Sequence, residues 1–283
     1  MFGIGRVVAF WPSTRNYRSN MKMMASSSEL VATEYASLNI KHTLDIQEAG
    51  GHVRIRQHVN PLTSSYMIPA KVPDWPQVFR DSTLPLMVDI GSGSGRFLIW
   101  HAKRSPDSRN YLGLEIRQKL VKRAEIWVKE LSLNNICFLF ANATVSFECL
   151  VSSYPGPLVF VSILCPDPHF KTKHHKRRVV QTPLVSSILT KLSPGGQVFV
   201  QSDVLDVALD MRNQLDAFCC CDATSDGGLK VLDHIDTVDP SIMTDDDGWL
   251  LRNPLGIRTE REIHAEDIQG AKVYRRLYQK RQV

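Results

Sequence analysis

The sequence predicts an α/β fold: a doubly wound, mostly parallel sheet with helices on both faces and an antiparallel closing strand. Three observations predict it. Five short apolar runs recur from residue 84 onward, amphipathic segments of helical period separate them, and the first run ends in clustered glycines. Strands alternating with helices in this way give parallel sheets, and glycines at the first strand end mark a ligand-binding turn.

The runs are 86–90, 111–115, 136–140, 158–164 and 197–202. Each is nearly continuously apolar, as a strand buried on both faces must be. A helix is expected to begin near Arg96, directly after the glycines. In 119–131, Leu120, Ala124, Trp127, Val128 and Leu131 form one stripe, with Lys122, Arg123, Glu125 and Lys129 outside it. Residues 183–192 repeat that logic, with proline early and Pro194-Gly195-Gly196 as the stop. A helix is expected over 204–218. At 272–278, aromatics interleaved with bases predict the closing strand.

The chain has 283 residues, of which 43% are hydrophobic and 22% charged. These ordinary globular values exclude collagen, a coiled coil and wholesale disorder. No uninterrupted apolar run approaches the roughly 18 residues that span a bilayer. The six cysteines include no C-x-x-C pair, and Cys219, Cys220 and Cys221 are consecutive. That spacing suits neither zinc nor a disulfide framework, so reduced thiols are expected, the triplet as small apolar filling at a helix end.

The net charge of +5 is segregated. Residues 1–28 carry +4 with no acid, residues 203–247 carry −10 with twelve Asp, and residues 248–283 carry +4. Without the first segment the protein is close to neutral, so an anionic partner has to be argued from local patches. Arg6, Arg15, Arg18 and Lys22 scattered among Ser and Asn have the composition of a transit peptide. Import into an organelle is expected, a plastid ahead of a mitochondrion, and a cytoplasmic location if the segment is only a tail. Translation from Met21, Met23 or Met24 would omit most of it. Residues 1–50 are read as leader and linker, and 51–283 as the functional domain.

The loop Asp89-Ile90-Gly91-Ser92-Gly93-Ser94-Gly95 lets backbone turn tightly and a ligand approach closely. A dinucleotide fingerprint needs its third glycine at 96, where Arg96 stands. A carboxylate at Asp89 also repels a pyrophosphate but suits a ligand with cationic groups, and S-adenosylmethionine has an ammonium and a sulfonium. Glu115 ends the second strand, where an acid can accept both ribose hydroxyls of an adenosine. Asn142-Ala143 ends the third, where an amide can meet the adenine edge. Gly91, Gly93, Gly95, Glu115, Asn142 and Ala143 are therefore cofactor candidates. The plain alternatives are a tight turn, a solvated strand end and a helix cap.

After the fourth strand, Pro166 and Pro168 bracket and stiffen Asp167. Lys171, Lys173, Lys176, Arg177 and Arg178 follow, with His174 and His175 and no acid, as a run suited to an RNA phosphate backbone or, more plainly, a solvated face. Adjacent His among so many cations make a poor metal site, and no metal is expected. Asp203 follows the fifth strand, as a third carboxylate at this edge or as the N-cap of the next helix.

In this order the segments 89–95, 112–115, 140–143, 166–168, 173–178 and 202–203 resemble the tRNA (guanine-N7-)-methyltransferase family, in its bacterial and plastid form. The stretch 53–62 (VRIRQHVNPL), Thr259-Glu260-Arg261-Glu262, Gly270 and 273–278 extend the resemblance from about residue 53 to 280. It implies a Rossmann-like class I methyltransferase that uses S-adenosylmethionine to methylate a variable-loop guanine of tRNA. It implies cofactor contacts at Asp89, Glu115, Asn142 and Asp167, and substrate contacts at Lys171, Asp203, Thr259, Glu260, Arg261 and Glu262. Asp203 and Asp167 are the expected catalytic pair. Neither a membrane nor an obligate protein subunit is implied, and a monomer and a homodimer both fit. The chain departs from the family at Cys165, often aromatic, at the pair His169-Phe170, and at Asn142, often Asp. The rival readings are methylation of another RNA or a non-RNA acceptor, and a non-catalytic RNA-binding protein.

Overall fold

A computed structural model describes residues 26–40, 59–219 and 231–282. Most of the leader read in 1–28, most of the 53–62 arm, Cys220 and Cys221 lie outside the described residues.

The described chain begins with α1 (Ser27–Glu34) and, further on, a short α2 (Trp75–Val78). It then alternates: β1 (Leu86–Ile90), α3 (Arg96–Arg104), β2 (Asn110–Glu115), α4 (Gln118–Glu130), β3 (Ile136–Phe140), α5 (Ala143–Ser152) and β4 (Leu158–Leu164). A 3-10 turn (Thr172–Arg177) leads to α6 (Thr182–Lys191), β5 (Leu192–Ser202) and α7 (Leu205–Asp216). Last come β6 (Leu232–His234), α8 (Ile235–Val238), α9 (Glu260–Ile263) and β7 (Tyr274–Lys280). Among the described residues the sheet has seven strands, in the order β3-β2-β1-β4-β5-β7-β6. The first five are parallel, and β7 runs antiparallel to both neighbours.

Strand alternation sorts the core into two layers. Val88, Ile90, Leu112, Leu114, Val161 and Val200 pack with Phe147, Leu150, Ile188 and Met211 of α5, α6 and α7. Met87, Tyr111, Phe138, Phe160, Phe199 and Leu277 pack on the other face with Phe97, Ile99 and Trp127 of α3 and α4. Burying such side chains is worth roughly 1.5–3 kcal/mol each. Because β1 leads to β2 and β3 on one side while β4 and β5 lie on the other, the order reverses between β1 and β4. That reversal opens a crevice at the carboxyl ends of the strands.

Three expectations change. Residues 27–38 are folded structure, not linker: Val31, Tyr35 and Leu38 join the α3/α4 core layer, and Tyr35 Oη donates to the Arg258 carbonyl at 2.5 Å. The signal was the capping box, in which Ser26 Oγ accepts from Glu29 N and the Glu29 carboxylate returns to Ser26 N. The three-residue β6 was not foreseen and the closing strand starts at Tyr274, because pairing with β5 and β6, not the sequence pattern, sets its ends. Asp203 does not cap α7: Val204 holds that position and its N donates to Ser202 Oγ. Cys219 is buried just beyond α7, as expected for apolar filling.

Candidate active site

The glycine loop opens the crevice. Gly91, Gly93 and Gly95 have φ of 81°, 56° and 85°. A Cβ at Gly91 would meet nothing within 4 Å, so its backbone conformation demands glycine and the space beside it is free. At Gly95 a Cβ would lie 2.8 Å from both Ala124 Cβ and Phe138 Cζ, so that glycine serves the packing of α3 on the sheet. Ser92 Oγ is buried beside this loop with no partner.

Asp89 sits opposite Ser162 of β4, whose Oγ donates to it at 2.7 Å. Burial pushes the Asp89 carboxyl up to about 7; the Ser162 bond holds it down and the nearby Glu115 raises it further. Glu115, only 2% exposed, ends β2. It accepts from Gly93 N at 2.8 Å, from Arg117 N at 2.9 Å, and from Arg117 Nε and Nη2 at 2.8 and 3.1 Å. Asn142 caps α5, accepting from Thr144 N and Thr144 Oγ1, while its Nδ2 donates to the Pro61 carbonyl. The cap reading of Asn142 is thus realised, and the same side chain pins the described end of the N-terminal arm over the crevice.

The crevice has two lobes. One is largely apolar, with Val59, Pro61, Leu114, Ala141 and Val179 among its walls, and opens to solvent. Glu115, Asn142, Ala143 and Asp167 stand at its edge. The other is more polar, with Asp89, Ser92, Gly93, Ser94 and Glu260 in its walls. Gly91, Arg117 and Cys165 line both. This division fits S-adenosylmethionine: an apolar slot for the purine, an acid for ribose hydroxyls, and a buried carboxylate with an unpartnered hydroxyl for the charged amino-acid end.

Cys165 and His169 bracket Pro166-Asp167-Pro168 with φ of 48° and 45°. Left-handed non-glycine residues cost on the order of 1 kcal/mol each and gather at functional loops. Burial, with Asp203 nearby, pushes the Cys165 thiol up to about 12, so it is no nucleophile. Phe170, just beyond, is 71% exposed, and Lys171, Lys173 and Lys176 are exposed next to it. Arg177 lines the apolar lobe.

Arg178 corrects an expectation. Its guanidinium is 5% exposed, pairs with Asp206 and, at 3.1 Å, with Asp210, and donates to the Pro168 carbonyl at 3.0 Å. With its donors committed inside the protein it braces the Pro-Asp-Pro loop against α7 instead of reaching a phosphate.

Four consecutive residues at α9 point four ways. Thr259 Oγ1 caps the helix. Glu260 accepts from Ser94 Oγ and Arg96 Nη1 at the glycine loop. Arg261 donates to Asp203 through Nε at 3.0 Å and through Nη2. Glu262 is fully buried and accepts from Arg275 Nη2 at 2.6 Å, Gln201 Nε2 at 3.1 Å and Asn253 Nδ2 at 3.0 Å. The expected substrate contact at Glu262 is corrected: it anchors the loop, because a carboxylate sealed among these donors has no face toward a ligand. Asp203 stays at the crevice end of β5 with its side chain 8% exposed. Arg117, Arg96 and Ser94 were not foreseen, since nothing in their spacing shows which carboxylate they meet.

A family model described as a putative methyltransferase matches residues 83–270. A tRNA (guanine-N(7)-)-methyltransferase of Synechococcus sp. (strain JA-2-3B'a(2-13)) is 46% identical over 219 residues, covering 77% of this chain and 81% of the relative. That of Synechocystis sp. (strain ATCC 27184 / PCC 6803 / Kazusa) is 44% identical over 228 residues, covering 81% of this chain and 98% of the relative. A two-lobed crevice shaped for S-adenosylmethionine and relatives matched over most of their length place this chain in the tRNA (guanine-N(7)-)-methyltransferase family.

Proposed function

We propose that the protein methylates N7 of the variable-loop guanine of tRNA, acting without a partner subunit. S-adenosylmethionine supplies an electrophilic methyl group when bound. N7 of guanine carries an exposed lone pair at neutral pH, so this chain has no proton to remove from the attacking atom. Its task is alignment of nucleophile, methyl and sulfur, which can supply roughly 7–11 kcal/mol of the barrier.

The observation that carries the reading is Asp203, held by Arg261 at the end of β5 and close to Cys165 of the crevice wall. Guanine gains positive charge as N7 is methylated, and a fixed carboxylate stabilises that charge and accepts from the N1 and N2 donors. Lys171, Lys173 and Lys176 line an exposed turn that suits flanking phosphates. Phe170 offers an unstacked base an aromatic face.

The test incubates the full chain alone with labelled S-adenosylmethionine and an unmodified tRNA transcript, then identifies the modified nucleoside by mass spectrometry. The expected product is 7-methylguanosine, lost when the variable-loop guanine is replaced by adenine. Methylation surviving that replacement removes the variable-loop assignment. Activity only after adding cell extract removes the single-chain reading. The leader in 1–28 supports import into a plastid; fusing it to a fluorescent reporter tests this, and cytoplasmic fluorescence overturns it.

A further inference from the structure

We propose that Arg117 is a cofactor-displaced latch that couples S-adenosylmethionine binding to tRNA binding. The inference rests on the methyltransferase reading and follows from counting acceptors. A carboxylate offers about four lone-pair sites. All four of Glu115 are occupied: Arg117 N and Nε fill those of Oε1, and Gly93 N and Arg117 Nη2 fill those of Oε2. A ribose diol brings two more donors, so two of the present four must leave.

The backbone pair cannot. Gly93 N is fixed within the glycine loop by its left-handed turn, and Arg117 N stands at the N-cap of α4, whose first turn Leu120 N closes onto the Arg117 carbonyl. The guanidinium is the mobile partner: it sits on a flexible side chain that is 26% exposed, where the Glu115 carboxylate is 2% exposed. Ribose hydroxyls therefore replace Nε and Nη2 while both backbone bonds remain.

The displaced cation has little freedom to leave the site. Arg117 lines both lobes of the crevice, and Asp167 lies close enough to favour its charge. It is released where the reacting base must enter, and the anion that accompanies a base in RNA is a phosphodiester. Arg117 thus passes from a carboxylate, held in the free protein, to a phosphate, held in the ternary complex. Binding of either ligand then favours the other by the same factor, as linkage requires. Arg117 acts here as a positioning residue, not a catalytic one.

The experiment uses the full chain, S-adenosylhomocysteine and unmodified tRNA transcript. Calorimetry measures S-adenosylhomocysteine affinity, and filter binding measures tRNA affinity over a salt series with and without it. For the wild-type chain, saturating S-adenosylhomocysteine is expected to tighten tRNA binding about fivefold or more and to steepen the log-log salt slope by nearly one. Arg117→Ala is expected to bind S-adenosylhomocysteine several-fold more tightly, with tRNA affinity now indifferent to it. Arg117→Lys, the conservative control, keeps part of the salt slope but lacks the two-bond hold on Glu115, and likewise binds S-adenosylhomocysteine more tightly. Weaker S-adenosylhomocysteine binding in both variants overturns the latch, because the guanidinium would then support Glu115 in the bound state. So does coupling that survives in Arg117→Ala. A wild-type chain that binds no S-adenosylhomocysteine overturns the methyltransferase reading, and the latch with it.

Discussion

Arg261 holds Asp203 by two donors on one oxygen: Nε and Nη2 both reach Oδ2. The carboxylate at the end of β5 is thereby oriented by a residue of α9, and α9 is tied through Glu260 to the glycine loop. Asp203 itself lines neither cofactor lobe, so removing its carboxylate removes charge stabilisation while leaving the residues that line them in place. Asp203→Ala is therefore expected to lower kcat by about 10²–10³-fold, with S-adenosylhomocysteine affinity unchanged. Single-turnover kinetics and calorimetry decide it, and an equal fall in both quantities removes the assigned role. Arg261→Ala keeps the charge and loses its aim, so a smaller fall in kcat is expected.

Asp89 makes cofactor binding depend on pH. Its carboxyl is pushed up to about 7 by burial, against the Ser162 bond and with Glu115 adding to the rise. A cationic ligand end prefers the ionised form. Below pH 7 the group must first shed a proton, and above it the group is ready. Affinity for S-adenosylhomocysteine is expected to rise roughly tenfold between pH 6 and pH 8. Asp89→Asn is expected to flatten that profile. Calorimetry in two buffers of different ionisation enthalpy, showing no proton release near pH 6, would exclude this role for Asp89.

The strand pattern was readable because parallel strands buried on both faces leave near-continuous apolar runs: 86–90, 136–140 and 158–164 are the observed β1, β3 and β4. Carboxylates at strand ends were readable for the same reason, since Asp89 and Glu115 interrupt apolar context at a known offset from glycines. Roles that depend on who faces whom were not. Nothing in the basic run separates Arg178, turned inward to Asp206 and Asp210, from its exposed neighbour Lys176. Glu260 and Glu262 look alike in sequence, yet one meets the glycine loop and the other is sealed under the sheet edge. α1 was overlooked because its eight residues carry little apolar stripe, and it is held by tertiary contacts such as Arg258 Nη2 on the Glu34 carboxylate at 2.9 Å.

The basic turn divides into binding and bracing residues, and mutation separates them. Lys173, Lys176 and Arg177 replaced together by Ala are expected to weaken tRNA binding and to flatten its salt slope by about two to three. The loss of thermal stability is expected to be smaller than for Arg178→Ala, because Lys173 and Lys176 are exposed and Arg177 only half-buried. Arg178→Ala is expected to do the reverse, lowering Tm by several degrees by stranding Asp210 and freeing the Pro168 loop. A salt slope unchanged in the triple variant would make the turn a bystander.

Glu262 gives the sharpest separation of structure from binding. It is fully buried and carries the charge that neutralises Arg275, itself 7% exposed, across a 2.6 Å bond. Burial disfavours the Arg275 guanidinium, while Glu262 and Glu266 restore and exceed what burial removes. Glu266 is partly exposed but pairs with the same Nη2, so Arg275 keeps one partner when Glu262 is removed. The loss therefore falls at or below the lower end of the about 3–5 kcal/mol that a wholly uncompensated buried charge costs. The same change removes the acceptor for Gln201 Nε2 and Asn253 Nδ2, and the return bond of the Thr259 cap. Glu262→Ala is expected to lower the unfolding free energy by that amount in urea titration and to loosen α9, so that kcat falls with Asp203 still present. Glu262→Gln keeps the acceptor geometry without the charge and is expected to recover part of the loss. A variant with native stability and selectively weakened tRNA binding would instead return Glu262 to the substrate surface, which its burial contradicts.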